Sequence, residues 1–565
     1  MTAGDLELTE IQGNIVPGFN KHHQAFVLVH FGAAAAVRSW LRSFHHDGVW
    51  DVTTAHEAQS FKHLHALAAR RRRGEASSLL AATWLNLAFS HRGLDRLRGP
   101  EQATTFNTGC AEEQFHQNAY PEGGEAVHAV VILAADRAGD LEAELRRQQS
   151  KIHEHSLRVI DVLRGDRLEG SREHFGFKDG LAQPNIKGAP GSSRTYGPVI
   201  EPGEFIVGYR DQQHKTIGDD FGRNGSYLVL LKLRQDVAAF RDSVKGAEGL
   251  GAAIVGRWPD GEKIGGPLQQ LSHIGRALPE KGEVEPDSPD RHRLIRRGIP
   301  YGPPLGAGEA DDGRDRGLLF VAYQADIARQ FEHVWARWLQ NPEFPAPGAG
   351  RDPLVGSANG GSGQRDVRVP RVEAKGGTAH LKLPQFVTVN YGGYFFSPSI
   401  SSLACLAGMA GTRQPASAAS IQERATTNVP HPMIYVPKNG GKFDYLQLVL
   451  EENPYGIDPN GITLPGTAEV AGPFAANRGS NGYPNGRSLQ AFLAAATASP
   501  RTPNYAPADS DVLAMFPHWQ FGEDSVRISK AIRITYSYSG PHSDTESPRT
   551  FIGHILIGYG GPAWP

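Results

Sequence analysis

GLLFVAY (residues 317–323) is an apolar run opened by a glycine, and it leads into Ile327, Phe331, Val334, Trp335 and Trp338. Apolar residues at i, i+4, i+7 and i+8 share one helix face, so the segment reads as a buried strand feeding an amphipathic helix. Three other segments repeat the pattern. AFVLVHF (25–31) precedes Val37, Trp40, Leu41 and Phe44. VHAVVILAA (127–135) precedes a helix around 140–155 with Leu141, Leu145 and Ile152 inward. YLVLLKL (227–233) precedes Val237, Phe240 and Val244. In chain order the first two segments start about 102 residues apart and the last two about 90, which predicts a duplicated unit. Each copy is expected to be a sheet with helices on one face, an α+β sandwich.

The rest of the chain narrows the function. Its 565 residues are 39% hydrophobic, enough for a large core. Lys and Arg number 58 against 60 Asp and Glu, a balance with no bulk attraction to nucleic acid or an anionic membrane. The basic run at 70–73 reads as a solvated helix end. Two cysteines, Cys110 and Cys405, leave no disulfide scaffold and no cysteine-based zinc site. There is no apolar run near 18 residues, and the acidic start MTAGDLELTEIQGN lacks a secretion signal's basic and apolar stretches. A cytoplasmic protein is the expectation. After about residue 410, FDYLQLVL (443–450) and VRISKAIRITY (526–536) alternate, which predicts a β-rich region with one wet face. NRGSNGYPNGR (477–487) reads as a turn-rich loop.

Long loops rich in glycine, proline and charge separate the units, and they carry the chemistry. The first holds Gly176, Phe177, Lys178, Asp179 and Gly180 in EHFGFKDGLAQPNIKG. Glycines let the backbone approach a flat ligand, which an acid between them would face. The second holds His273 in LSHIGRALP and Arg293, Arg296 and Arg297 in HRLIRRGIPYGPP. Imidazole for a metal, cations for acidic groups and a carboxylate nearby fit haem. The common phosphate-loop, serine-hydrolase, zincin and dinucleotide motifs are absent.

Six strings, in order, resemble the dye-decolourising peroxidases: IQGNIVPGFNKHHQAF (11–26), FSHRGLDRL (89–97), GFKDGLAQP (176–184), IRRGIPYGP (295–303), GLLFVAYQADIARQFE (317–332) and FVTVNYGGYFFSPS (386–399). The resemblance implies two ferredoxin-like domains, antiparallel sheets with peripheral helices, holding haem b between them. They are expected at 1–200 and 201–409, with a β-rich extension of unknown role at 410–565.

The resemblance also assigns roles. Asp179 is the distal acid, with Arg296 as its partner. His273 is the iron ligand, rather than His292 in the same loop. Leu318 and Phe320 form an apolar wall, and the backbone and side chains of Gly176, Phe177, Lys178 and Gly180 surround the cofactor. HIGRALPE (273–280) departs from the family's usual HIRKxNPR, which makes Arg276 the candidate cation for a propionate. Asp352, in GRDPLVG, is the acid expected to take the Nδ1 proton of His273. The implied activity reduces hydrogen peroxide and oxidises dyes, phenols and other aromatic donors. Iron release from haem, porphyrinogen oxidation and a non-enzymatic haem-binding or cargo role are the alternatives. Oligomeric state and a partner for 410–565 stay open.

Overall fold

A computed structural model of the chain describes residues 6–46, 49–62, 80–98, 126–181, 183–189, 199–264, 269–279, 289–358, 363–371 and 377–409. It also describes the strand backbones at 434–437, 443–450, 505–507, 520–521, 527–538 and 549–559. Cys110, the basic run at 70–73 and the loop at 477–487 lie outside the described residues. The chain divides into two compact units, Met1–Arg42 with Trp84–Met409, and Ser43–Thr83 with Ala410–Pro565.

In the first unit, nine strands form one sheet. They are β1 (His23–His30), β2 (Thr83–Phe89), β3 (Ala129–Ala135), β4 (Arg158–Asp166), β5 (Ser226–Gln235), β6 (Ile295–Arg296), β7 (Ile299–Tyr301), β8 (Gly317–Gln324) and β9 (Val387–Ser397). The order is β6-β8-β5-β9-β2-β3-β1-β4, with β7 also paired to β8. The registers of β1 with β3 and β4, and of β5 with β8 and β9, are antiparallel. Three of the four strands at one end, β8, β5 and β9, and their short partner β6 come from the later half of the unit. Those at the other end come from the earlier half. The halves meet where Phe396 of β9 pairs with Phe89 of β2.

The four strand–helix segments are present. Helix α1 (Ala34–Arg42) buries Val37, Trp40 and Leu41, and α2 (Ala138–Glu154) buries Leu141, Leu145 and Ile152. Helix α3 (Val237–Val244) buries Val237 and Phe240. Each such side chain removed from water contributes roughly 1.5–3 kcal/mol. The fourth differs from the expected α-helix, because Ala328–Leu339 is a π-helix that buries Phe331, Val334 and Trp338. Its bonds run five residues back, as from Glu332 N–H to the Ile327 carbonyl at 2.9 Å. Apolar spacing marks the buried face of either winding, so it did not separate them.

Among the described residues of the second unit, strands predominate. Its five-stranded sheet runs Ile434–Pro437, Phe443–Leu450, Arg549–Tyr559, Arg527–Tyr538, Tyr505–Pro507. Among the described residues, no helix is long and apolar enough to cross a membrane.

Candidate active site

Residues 171–181 form a hairpin closed by an antiparallel bridge between Arg172 and Lys178. The Glu173 N–H donates to the Phe177 carbonyl, and the Gly176 N–H to the Glu173 carbonyl, each at 2.9 Å. The turn needs φ of +98° at Gly176 and +77° at Gly180, a region that costs an L-residue about 1–2 kcal/mol. A Cβ built on either glycine would meet nothing within 4 Å. The backbone on both sides of Asp179 is therefore open to a flat ligand. Asp179 is exposed, and its Oδ1 accepts from the Gly180 N–H at 2.6 Å. Lys178 is exposed too, whereas Phe177 packs into the core with its ring 6.1 Å from that of Phe240.

Arg296 reaches this hairpin from β6. Its Nη2 donates to the Leu181 carbonyl at 2.9 Å. Its backbone exchanges two bonds with Gln183, whose Oε1 accepts at 3.1 Å and whose Nε2 donates at 3.0 Å. Burial pulls the guanidinium below its ordinary value, and the charge of Asp179 pushes it back up. Leu318 and Phe320 alternate as half-buried residues on β8, whose other residues are buried.

His273 opens the short helix α4 (His273–Ala277), capped by Ser272, whose Oγ accepts from the Gly275 N–H at 3.2 Å. The His273 Nδ1 lies 3.2 and 3.1 Å from the two carboxylate oxygens of Asp352. Asp352 is fully buried, and its Oδ1 also accepts the N–H groups of Leu354 and Val355 at 2.8 Å each. With Nδ1 aimed at the carboxylate, Nε2 is the nitrogen left for a metal. The side chain of His273 keeps 22% of its surface exposed.

Burial works to raise the Asp352 carboxyl, yet His273, Arg276 and the Val355 N–H together hold it below the ordinary 3.8. A folded carboxyl that titrates below its unfolded range stabilises the fold above about pH 4 and loses that contribution as the pH falls through its folded value. Asp352→Asn is therefore expected to lower the melting temperature at neutral pH by a margin that shrinks in acid. Parallel melts of the two proteins from pH 7 down to pH 3 check it.

Arg276 does not have the place expected for a propionate cation. It is fully buried, and it donates to the carbonyls of Leu271, Ala349 and Gly350 at 3.3, 3.2 and 2.8 Å. It braces the chain beside Asp352. His292 is also committed elsewhere. Its Nδ1 is 2.5 Å from the Arg329 carbonyl, and its ring stacks on His333 at 4.0 Å and meets Trp338 edge-on at 5.2 Å.

Two contributors escaped the sequence reading. Glu173 is a carboxylate that accepts the N–H groups of Phe175 and Phe177 at 2.9 Å and the Gln235 amide at 2.7 Å. Burial pushes its carboxyl up to about 7 against those donors. Gln183 is the other. Both stand within or beside the GFKDGLAQP string, and that adjacency was the available signal.

The open glycines beside an acid, a histidine with one ring nitrogen tied to a buried carboxylate, and an apolar pair on β8 all suit haem. Comparison with known proteins decides the family. The DyP dimeric alpha+beta barrel domain matches residues 10–167, and the C-terminal domain of Dyp-type peroxidases matches residues 171–343. The chain belongs to the dye-decolourising peroxidase family. A dye-decolorizing peroxidase of Mycetinis scorodonius is 29% identical over 71% of this chain and 88% of its own. One from Auricularia auricula-judae is 27% identical over 71% and 87%. The structure of an ancestral D-type dye decolorizing peroxidase is similar with a TM-score of 0.59 at 27% identity, over 71% of this chain and 98% of that one. Membership makes this dye-decolourising peroxidase an oxidoreductase that acts on peroxide and takes a haem cofactor. Residues 410–565 lie beyond both family matches.

Proposed function

We propose that the chain is a haem b peroxidase that reduces hydrogen peroxide and oxidises dyes, phenols and other aromatic donors. The observation that carries the reading is His273, held through Nδ1 by both oxygens of buried Asp352. When bound, haem supplies the iron at which peroxide is cleaved and a store for two oxidising equivalents. His273 would hold that iron through Nε2. Asp352, accepting the Nδ1 proton, increases the basicity of the ligand. Asp179 would accept a proton from hydrogen peroxide and return it to the departing oxygen, so that water leaves. Arg296, which keeps its proton, would stabilise the negative charge that develops on the peroxide. Leu318 and Phe320 would form the apolar wall that keeps bulky donors away from the bound haem.

Residues 1–200 and 201–409 would be the two domains that share the cofactor, and 410–565 an appendage not needed for iron ligation. The comparisons do not favour iron release, porphyrinogen oxidation or a cargo role. Purified, haem-loaded protein given hydrogen peroxide and an anthraquinone dye is expected to bleach the dye only when both protein and peroxide are present. No peroxide-dependent oxidation of any dye or phenol between about pH 3 and 7, the range spanning ordinary carboxylate and histidine titration, would defeat the proposal.

A further inference from the structure

The hairpin that carries Asp179 has a second copy. The strings REHFGFKDG (172–180) and RWPDGEKIG (257–265) share arginine, glycine, lysine and glycine at the same four positions. The backbones match bond for bond. Arg257 bridges Lys263 as Arg172 bridges Lys178. Trp258 N–H donates to the Glu262 carbonyl at 2.8 Å, and Gly261 N–H to the Trp258 carbonyl at 2.9 Å. Gly261 has φ of +100° beside the +98° of Gly176. In each copy the arginine Nη1 caps its own turn, Arg172 on the Gly176 carbonyl at 2.5 Å and Arg257 on the Gly261 carbonyl at 2.7 Å. Five positions differ, and the one that bears on the site is the acid. Where the first copy has exposed Asp179, the second has Ile264, only 2% exposed.

The copies are docked on one another. The Arg172 Nη1 that caps the first turn also donates to the Pro259 carbonyl of the second at 2.6 Å. A Cβ on Gly261 would lie 2.6 Å from Leu181 Cδ1 and 3.4 Å from Lys178 Cδ, so the second turn sits against residues flanking Asp179. Leu181 is also the residue whose carbonyl holds Arg296 at 2.9 Å. Anything that moves the second hairpin therefore moves the segment that spaces the acid from its arginine.

We propose that the 257–263 hairpin is a positioning element for Asp179 and Arg296, and that Arg172 and Gly261 are the residues that dock it. The second copy has an apolar residue in place of the acid, and it supports the site without touching the reacting atoms. The inference rests on the reading of Asp179 and Arg296 as the groups that handle peroxide. A shift of about 1 Å in such a pair is enough to cost on the order of 100-fold in rate.

The test uses the haem-loaded full chain and four variants, Arg172→Leu, Arg172→Lys, Gly261→Ala and Asp179→Asn. The rate of reaction with hydrogen peroxide is followed by stopped flow, the KM for a dye by steady state, and amide exchange of residues 172–181 by mass spectrometry. Arg172→Leu and Gly261→Ala are expected to slow the peroxide step at least tenfold and to speed exchange in that peptide, with the dye KM within twofold of wild type. Arg172→Lys keeps the charge and one donor, so it falls between wild type and Arg172→Leu. It also carries the comparison with Gly261→Ala should Arg172→Leu fail to fold. Wild-type peroxide rates and exchange in these variants, beside a slow Asp179→Asn, would overturn the inference alone. Equal losses in the peroxide step and in dye KM, with exchange sped across the whole chain rather than in that peptide, would mark general destabilisation and overturn it as well. A wild-type rate in Asp179→Asn would remove the reading underneath, and that control tells the two failures apart.

Discussion

His273→Ala is expected to leave the purified protein with about a tenth or less of the wild-type haem content, since losing an oriented ligand costs at least the 10–100-fold seen when only its partner is lost. The geometry separates this residue from the other histidine of the same loop. His273 begins a capped helix, points Nδ1 at a fully buried carboxylate and keeps part of its ring at the surface. His292 spends Nδ1 on the Arg329 carbonyl and lies buried between His333 and Trp338. Its removal opens a cavity and should cost roughly 2–5 kcal/mol of stability, but not the haem of the molecules that fold. Added imidazole should enter the space left in His273→Ala and restore a ferric spectrum, and should do nothing for His292→Ala. Haem content by pyridine hemochrome, beside the ferric spectrum with and without imidazole, reads both. A folded His292→Ala without haem, beside a His273→Ala with a normal spectrum, would move the ligand.

The residues that were legible in the sequence are those whose role is set by a few neighbours in the chain. Gly176, Asp179 and Gly180 fall within five residues, and the two glycines adopt the left-handed conformation that explains their identity. The strand–helix segments were legible because burial imposes a period. The pairing of His273 with Asp352 spans a long stretch of chain, and only the likeness of GRDPLVG to a family string pointed to it. The charge of Arg276 suggests a partner for an acid, whereas the fold turns that guanidinium inward onto three carbonyls. Glu173 was passed over for the opposite reason. A glutamate in a polar loop reads as solvated, and only the structure shows it accepting two backbone N–H groups of its own turn. The repeat of that hairpin at 257–263 was present in the letters, but four shared residues among nine carry no weight until the hydrogen bonds coincide.

Asp179→Asn is expected to slow the reaction with peroxide by about 10²–10⁴-fold, the range that a positioned acid–base group contributes. Asparagine matches aspartate in shape, and its oxygen can still accept the Gly180 N–H that Asp179 Oδ1 accepts now. The hairpin should therefore keep its form while losing a group able to carry a proton. Arg296→Leu should also slow the reaction, by about 10²–10³-fold, as for the loss of one charge-stabilising donor. It additionally frees the Leu181 carbonyl that Nη2 now holds. The two losses are not expected to add, because both act on one proton transfer. Neither variant should lose haem, since neither residue is on the side of His273 in this account. The decisive measurement is a stopped-flow record of the Soret band after one equivalent of hydrogen peroxide, wild type against Asp179→Asn. The account predicts a prompt spectral change in the wild type and one slower by about 100-fold or more in the variant; superimposable traces would contradict it.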